Sequence, residues 1–274
     1  MTMPDPSAFI AAGASAEVYR LEPGVVLKLF HAGIDPGIVT REEDMARIIE
    51  ATGLPVPRLI RRCAIEGRSG LVYSELAGPN LLAYIGRHPH RAHWALDQMA
   101  ALQQRISACR IPLRRSRKVV MADDIEAGPI DERLRAAAID RLEALHEGDG
   151  LSHGDLHPGN LIVTDAGVGI VDWSRAAMGT AASDVVRTEM VMRFGPGRGD
   201  GTQVGWRESA VRDAAAGWYV HRYRAQSGLD PEALAAWRPL VALAWLRQRA
   251  PVRDAAFAAY LNDALRVAGL PPQG

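Results

Sequence analysis

Residues 153–160 read His-Gly-Asp-Leu-His-Pro-Gly-Asn and run directly into the apolar Leu161-Ile162-Val163. Two imidazoles, a carboxylate and a carboxamide so close together can move a proton, orient a nucleophile or hold a cation. A second carboxylate, Asp172, closes the strand-like run that follows the turn Thr164-Asp165-Ala166-Gly167. The two apolar runs on either side of that turn pattern as a β-hairpin, so the polar loop and Asp172 meet at one end of it. The string His153-x-Asp155-x-His157, with Asp172, also has the residue types of a zinc or di-metal hydrolase centre. Pro158 and Gly159 favour a phosphate-facing loop over ligands carried on a rigid element.

Only two lysines, Lys28 and Lys118, stand among the 32 basic side chains. Lys118 lies in Arg114-Arg-Ser-Arg-Lys118, which reads as a solvated basic loop. Lys28 lies inside Val25-Val-Leu-Lys-Leu-Phe30, a strand pattern, where an ammonium needs an anionic partner unless it snorkels to water from an edge strand. Neither lysine follows a GxxxxG loop, which excludes a Walker-type nucleotide site.

The elements that must carry these residues fall into two textures. Residues 7–30 read as short strands with a small-residue first turn, Gly13-Ala14-Ser15, open enough for a phosphate but ordinary as a turn. A helix is expected over 37–52, with Ile38, Met45, Ile48 and Ile49 as its apolar positions and Glu42, Glu43 and Asp44 in its first half; Leu54-Pro-Val-Pro57 stops it. Strand patterns over 57–65 and 70–76 complete a small α+β unit. After Gly78-Pro79 the periodicity is helical, over 80–109, 129–146, 181–194, 206–226, 231–248 and 251–267, interrupted only by the hairpin region 151–173. The division falls at 77/78, giving domains 1–77 and 78–274.

The 274 residues carry equal numbers of acids and bases, so no global field favours nucleic acid or an anionic membrane. No window is apolar enough for a span or a signal peptide, and a cytoplasmic location is expected. Cys63 and Cys109 stand apart and outside any CxxC, as reduced thiols do. Oligomeric state is not legible.

A β-rich lobe with a strand lysine and an acidic helix, then a helical lobe with H-G-D-x-x-x-x-N, a hairpin and an Asp, resembles the protein-kinase-like fold. The form HGDLHPGN…IVDW, with Gly154 where protein kinases have Arg, resembles the aminoglycoside phosphotransferase and choline kinase branch, over nearly the whole chain. The resemblance implies an α+β, bilobal molecule and a kinase using ATP or GTP with Mg²⁺ to phosphorylate a small-molecule hydroxyl, an aminoglycoside or other antibiotic among the candidates. It assigns Asp155 to the acceptor hydroxyl and Asn160 and Asp172 to the metal. Lys28 would take the α- and β-phosphates with Glu42 as its ion-pair partner and Glu43 in reserve. Gly13 and Ser15 would cover the phosphates, and Ser74 to Leu76 would face the base. His153 would brace the loop and Asp184 would tie down its backbone. Rival readings are the metal-dependent hydrolase and a catalytically silent kinase-like binding protein.

Between Asp172 and Asp184 only Trp173-Ser-Arg-Ala-Ala-Met-Gly-Thr-Ala-Ala-Ser183 intervenes, too short for a peptide platform. The acceptor is then expected from the helical side, near the loop 195–201. Residues 184–274 hold twelve arginines against nine acids, which does not announce a pocket for a polycation. Glu189, Asp200, Glu208 and Asp213 could build one, but read better as solvated charges. Trp206, Trp218, Trp237 and Trp245 read as core rather than pocket.

Overall fold

The computed structural model describes residues 3–13, 15–195, 204–247 and 254–273. The loop expected near 195–201 therefore lies, beyond Gly195, outside the described residues, as do Ala14 and Asp200. Five strands, β1 (Phe9–Ala12), β2 (Ala16–Glu22), β3 (Val25–Phe30), β4 (Leu59–Ile65) and β5 (Arg68–Ser74), form an antiparallel sheet in the order β1-β2-β3-β5-β4. Helix α1 (Pro36–Glu50) enters between β3 and β4. Then come α2 (Leu81–Arg87), α3 (Ala92–Ala108), α4 (Arg117–Glu126) and α5 (Glu132–Ala144). A short β6 (Gly150–Ser152), the hairpin β7 (Leu161–Thr164) and β8 (Gly167–Ile170), and β9 (Ala177–Gly179) follow. The chain closes with α6 (Ala181–Phe194), α7 (Trp206–Ser227), α8 (Pro231–Leu246) and α9 (Asp254–Ala268).

The chain divides into two compact units, Met1–His88 with Pro158–Ser174, and Pro89–His157 with Arg175–Gly274. In the first, strand period two sorts the side chains. Leu27 and Leu29 of β3 are fully buried with Tyr19, Ile65 and Val72 on one face, while Phe30 packs with Ala16, Val39, Leu59 and Leu71 on the other. Lys28 shares the face of Phe30, with its ammonium 5.6 Å from that ring's centroid. Each fully buried leucine contributes roughly 1.5–3 kcal/mol, and Leu29→Ala would cost about 2–5 kcal/mol.

Asp35 caps α1 by accepting from Gly37 N–H at 2.6 Å, and Pro36 supplies a first-turn residue with no N–H to satisfy. Its buried positions are Val39, Met45 and Ile49; Ile38, expected inside, is 37% exposed. The hairpin β7-β8 belongs to this first unit. Val163 N–H donates to Pro79 O at 2.9 Å and Ile170 N–H to Pro55 O at 2.8 Å. Gly78, at φ 152°, runs so close to β7 that a Cβ would sit 2.9 Å from the Val163 carbonyl carbon, a position only glycine fills.

The second unit is mainly helical. The helical pattern over 80–109 is two helices broken at His88-Pro89, where proline cannot continue the hydrogen-bond ladder. Arg114–Lys118 is not a solvated loop throughout. Ser116 caps α4, Arg117 is 7% exposed, and Lys118 donates to the terminal carbonyls of α5, Glu143 O at 2.9 Å and Leu145 O at 2.8 Å. Trp237 and Trp245 are core, Trp218 donates from Nε1 to Asp97 at 3.1 Å, and Trp206 is 77% exposed. Cys63 and Cys109 are free thiols, and among the described residues no helix is long and apolar enough to cross a membrane.

Candidate active site

In the first unit, Lys28 Nζ donates to Glu42 Oε1 at 2.5 Å and lies 4.0 Å from Asp172 Oδ1. Glu43, one residue on, faces away and takes Arg47 at 2.9 Å and Arg62 at 3.6 Å. Burial pushes the Glu42 carboxyl up, Lys28 pulls it back down, and Asp172 adds a smaller upward push. The neighbouring Tyr73 phenol is raised well above its usual range by burial first and then by Glu42 and Asp172.

Register brings Asn160 and Asp172 together. Leu161 pairs with Ile170 at the open end of the hairpin, and Val171 N–H donates to Asn160 O at 3.0 Å just beyond it. Asp172 has φ 64°, a left-handed conformation that a non-glycine residue holds at a cost of about 1–3 kcal/mol. Its side chain is 43% exposed, so the strain turns a carboxylate outward rather than into the core. An amide oxygen and a carboxylate at one hairpin end make a hard-oxygen donor set suited to Mg²⁺.

The small-residue turn is tied at both ends. Gly13 N–H donates to Ala16 O at 2.8 Å, His31 Nε2 lies 3.1 Å from Gly13 O, and His31 N–H donates to Ser15 O at 2.9 Å. The amide of Gly13 is thus already engaged. Ser74 N–H donates to Arg58 O at 2.9 Å and Glu75 N–H to Gly24 O at 2.8 Å, whereas the Leu76 backbone makes no hydrogen bond among the described residues. Of the three, Leu76 has backbone groups left for a ligand.

The second unit holds Asp155. Asp184, in the first turn of α6 and 1% exposed, accepts from His153 N–H at 2.8 Å, Gly154 N–H at 2.7 Å and Gln103 Nε2 at 2.6 Å. One buried carboxylate thereby pins the backbone on which Asp155 sits. Its charge is offset by those donors and by the α6 N-terminus. The His153 ring is fully buried, and its Nδ1 accepts from Asp155 N–H at 3.3 Å. That nitrogen's lone pair is committed to the loop, which removes it as a metal ligand. Among the described residues no group of three or more His, Cys, Asp and Glu is disposed to hold a metal ion.

Two arginines complete the picture and were not singled out from the sequence. Arg187 of α6 places Nη2 3.5 Å from Asp155 Oδ1, and its guanidinium lies 5.6 Å from the Trp245 ring centroid. Arg117 donates to Ser152 Oγ at 3.2 Å and to Arg175 O at 2.7 Å. Gly154, at φ 79°, makes room for it: a Cβ there would lie 2.8 Å from Arg117 Cζ and 2.6 Å from Arg175 O. Arg187 lies three residues past Asp184, hence on the same helix face, which was a usable signal. Arginine is so seldom buried that nothing in the sequence marked Arg117.

The family model described as the phosphotransferase enzyme family matches residues 8–218. The chain belongs to this family. No curated protein matches it. Among solved structures, an aminoglycoside 3'-phosphotransferase of type VIII superposes with a TM-score of 0.61 at 19% identity, over 86% of this chain and 93% of that one. An aminoglycoside phosphotransferase of Streptomyces rimosus, solved with ADP and streptomycin, gives 0.58 at 17%, over 88% and 94%. A choline kinase of Cryptosporidium parvum gives 0.55 at 12%, over 96% and 88%. At these identities the likeness is one of fold, and the fold is protein-kinase-like, with a β-rich N-terminal part and a helical C-terminal part.

Proposed function

We propose that this phosphotransferase moves the γ-phosphoryl group of ATP or GTP onto a hydroxyl of a small molecule. The observation that carries the reading is the triad of Lys28, Glu42 and Asp172, in which a buried carboxylate aims a scarce lysine and a strained aspartate stands 4.0 Å from that lysine's ammonium. Lys28, held by Glu42, would bind the α- and β-phosphates. Asn160 and Asp172 would hold Mg²⁺, which when bound neutralises charge on the nucleotide phosphates. Ser15 in the first turn, and Gly13 through its lack of a side chain more than its engaged amide, would shape the cover over the phosphates. Leu76, with Ser74 anchoring the strand end, would meet the base.

Asp155 would orient the acceptor hydroxyl and take its proton as the new O–P bond forms, while the bond from γ-phosphorus to the bridging oxygen breaks and the nucleoside diphosphate leaves. In this reading residues 1–77 are the nucleotide lobe and residues 78–274 carry the catalytic loop and acceptor pocket, although the hairpin with Asn160 and Asp172 packs in one unit with the former. The small-molecule acceptor is supported by the short Asp172–Asp184 interval and by relatives solved with streptomycin and gentamicin. The test is calorimetry of the full chain with ATP and GTP, with and without Mg²⁺. A Mg²⁺-dependent heat with at least one nucleotide at millimolar concentration is expected, and none with either would refute the kinase reading.

A further inference from the structure

Of the four acids that could build a pocket for a polycation, the three among the described residues are already committed. Glu189, 3% exposed, takes Arg193 at 3.2 Å and Arg238 at 3.5 Å; Asp213 takes Arg193 at 2.9 Å and Glu208 takes Arg212 at 3.0 Å. Beside Asp155 the balance tips the other way. A cavity of about 30 Å³ opens within the second unit between α4, α6, α8 and the catalytic loop, and its charged lining is Arg117, Arg175, Arg187, Asp124 and Asp184.

Of the three guanidinium groups in that wall, Arg187 already pairs with Asp155 at 3.5 Å and Arg175 with Asp124, so the unmet charge is that of Arg117. Asp184 is taken by two loop amides and Gln103, and Asp124 is shared between Arg175 at 3.6 Å and Arg247 at 3.0 Å. Arg117 forms no ion pair among the described residues; its partners are a hydroxyl and a carbonyl. Burial, and after it the nearby Arg175, Arg187 and Arg115, push its guanidinium down to about 10 against the pull of Asp184, so it stays charged at neutral pH. A buried cation among cations is costly unless an anion joins it.

We propose that this cavity binds an oxyanion, and that the acceptor is accordingly a small hydroxy compound bearing a carboxylate or phosphate, not a polyamine. This inference rests on the kinase reading for its link to the acceptor, but the anion site itself does not. The cavity holds about two water-sized groups, since one water needs roughly 10–15 Å³. Two oxygens of a carboxylate, or one edge of a phosphate, match that space and the fork of an arginine, whereas an amino sugar ring does not enter. Arg187, which touches both this cavity and Asp155, would set the distance between the anionic group and the hydroxyl presented to the base.

The test uses the full chain carrying Lys28→Met, so that phosphate bound at the nucleotide subsite does not contribute. At constant ionic strength, inorganic phosphate or acetate should raise the thermal midpoint saturably, and whichever acts more strongly identifies the preferred oxyanion. Arg175→Gln and Arg187→Gln should each weaken that response about tenfold or more. With the wild-type chain, Mg²⁺–nucleotide consumption is compared across glycerol, glycerate, glycerol 3-phosphate, choline and an aminoglycoside; one of the two anionic compounds should be favoured at least tenfold over glycerol. No response to either anion beyond matched salt, a response unaltered in both arginine variants, or preferential turnover of choline or the aminoglycoside would each overturn the proposal. Because the acceptor comparison needs no variant, it decides even where a substitution prevents folding. Absent nucleotide binding with an intact anion response would sink the kinase reading alone.

Discussion

Gly154→Ala is expected to destabilise the protein by about 2.5–5 kcal/mol. The new methyl would force a left-handed alanine, which costs about 1–2 kcal/mol, because the backbone there is at φ 79°. It would also stand 2.8 Å from Arg117 Cζ and 2.6 Å from Arg175 O. The carbonyl cannot swing away as a side chain end can, so the guanidinium must yield, and with it the 2.7 Å hydrogen bond from Arg117 to Arg175 O. A hydrogen bond from a charged donor contributes about 1.5–3 kcal/mol. Urea denaturation reads the effect directly, at unchanged m-value if only stability has moved. In an Arg117→Ala background the cost of the same substitution should fall by that hydrogen-bond share, about 1.5–3 kcal/mol, since the two residues touch and cannot be additive. A loss below about 1 kcal/mol, or an identical loss with and without Arg117, would refute the claim that glycine is required here to admit the guanidinium.

Asp155→Asn should lower turnover by about 10²-fold or more while leaving nucleotide affinity nearly unchanged, as general-base and positioning roles do; equal loss of both in single-turnover and calorimetric assays would instead make Asp155 a metal ligand. Glu42→Gln should raise the nucleotide KM about tenfold, whereas Glu43→Gln, whose partners are solvent-facing arginines, should change it less than about twofold; comparable effects would mean that the pairing with Lys28 is immaterial. The carboxyl of Glu75 is held below its ordinary value of 4.5, first by its hydrogen bonds from Arg20. A depressed acid stabilises the fold above its unfolded value and loses that contribution as pH falls through the folded value. The stability difference between wild type and Glu75→Gln, at most about 1 kcal/mol because the Arg20 partner is exposed to solvent, should therefore be present at pH 6 and vanish on acidification below 4.5; a difference that grows on acidification would contradict it.

Where a pattern repeats, the sequence was readable. Period two exposes β2 to β5 and the hairpin, and α6 begins and ends where its apolar period does. Short or weakly patterned pieces were not readable. β6 and β9 have three residues each, too few for a period, and α4 is rich in charge, with Ser116 as its one usable start signal. Helix α1 was legible as an element but not to the residue: the buried position is Val39, not Ile38, because one residue of register turns the face by about 100°. At the site, residue types and order pointed to Lys28, Asp155, Asn160 and Asp172. The choice of Glu42 over Glu43 needed the rotation of α1 against β3, and the left-handed turn at Asp172 has no compositional mark. The arginines around Gly154 meet from three separate segments, which local spacing does not encode.

The hairpin's membership in the first unit bears on how the chain comes to be folded during synthesis. Strands β1 to β5 emerge early, but the pieces that donate hydrogen bonds to the carbonyls of Pro55 and Pro79 and close over Gly78 arrive only after residues 89–157 have followed. The first unit therefore cannot mature from the N-terminal segment alone, and its completion waits on contacts of long sequence separation, which fold slowly. A fragment ending at His88 would keep its sheet pairing yet lack Leu161 and Ile170, both fully buried in the finished molecule. Such a fragment is a nascent-chain intermediate, not a separable module.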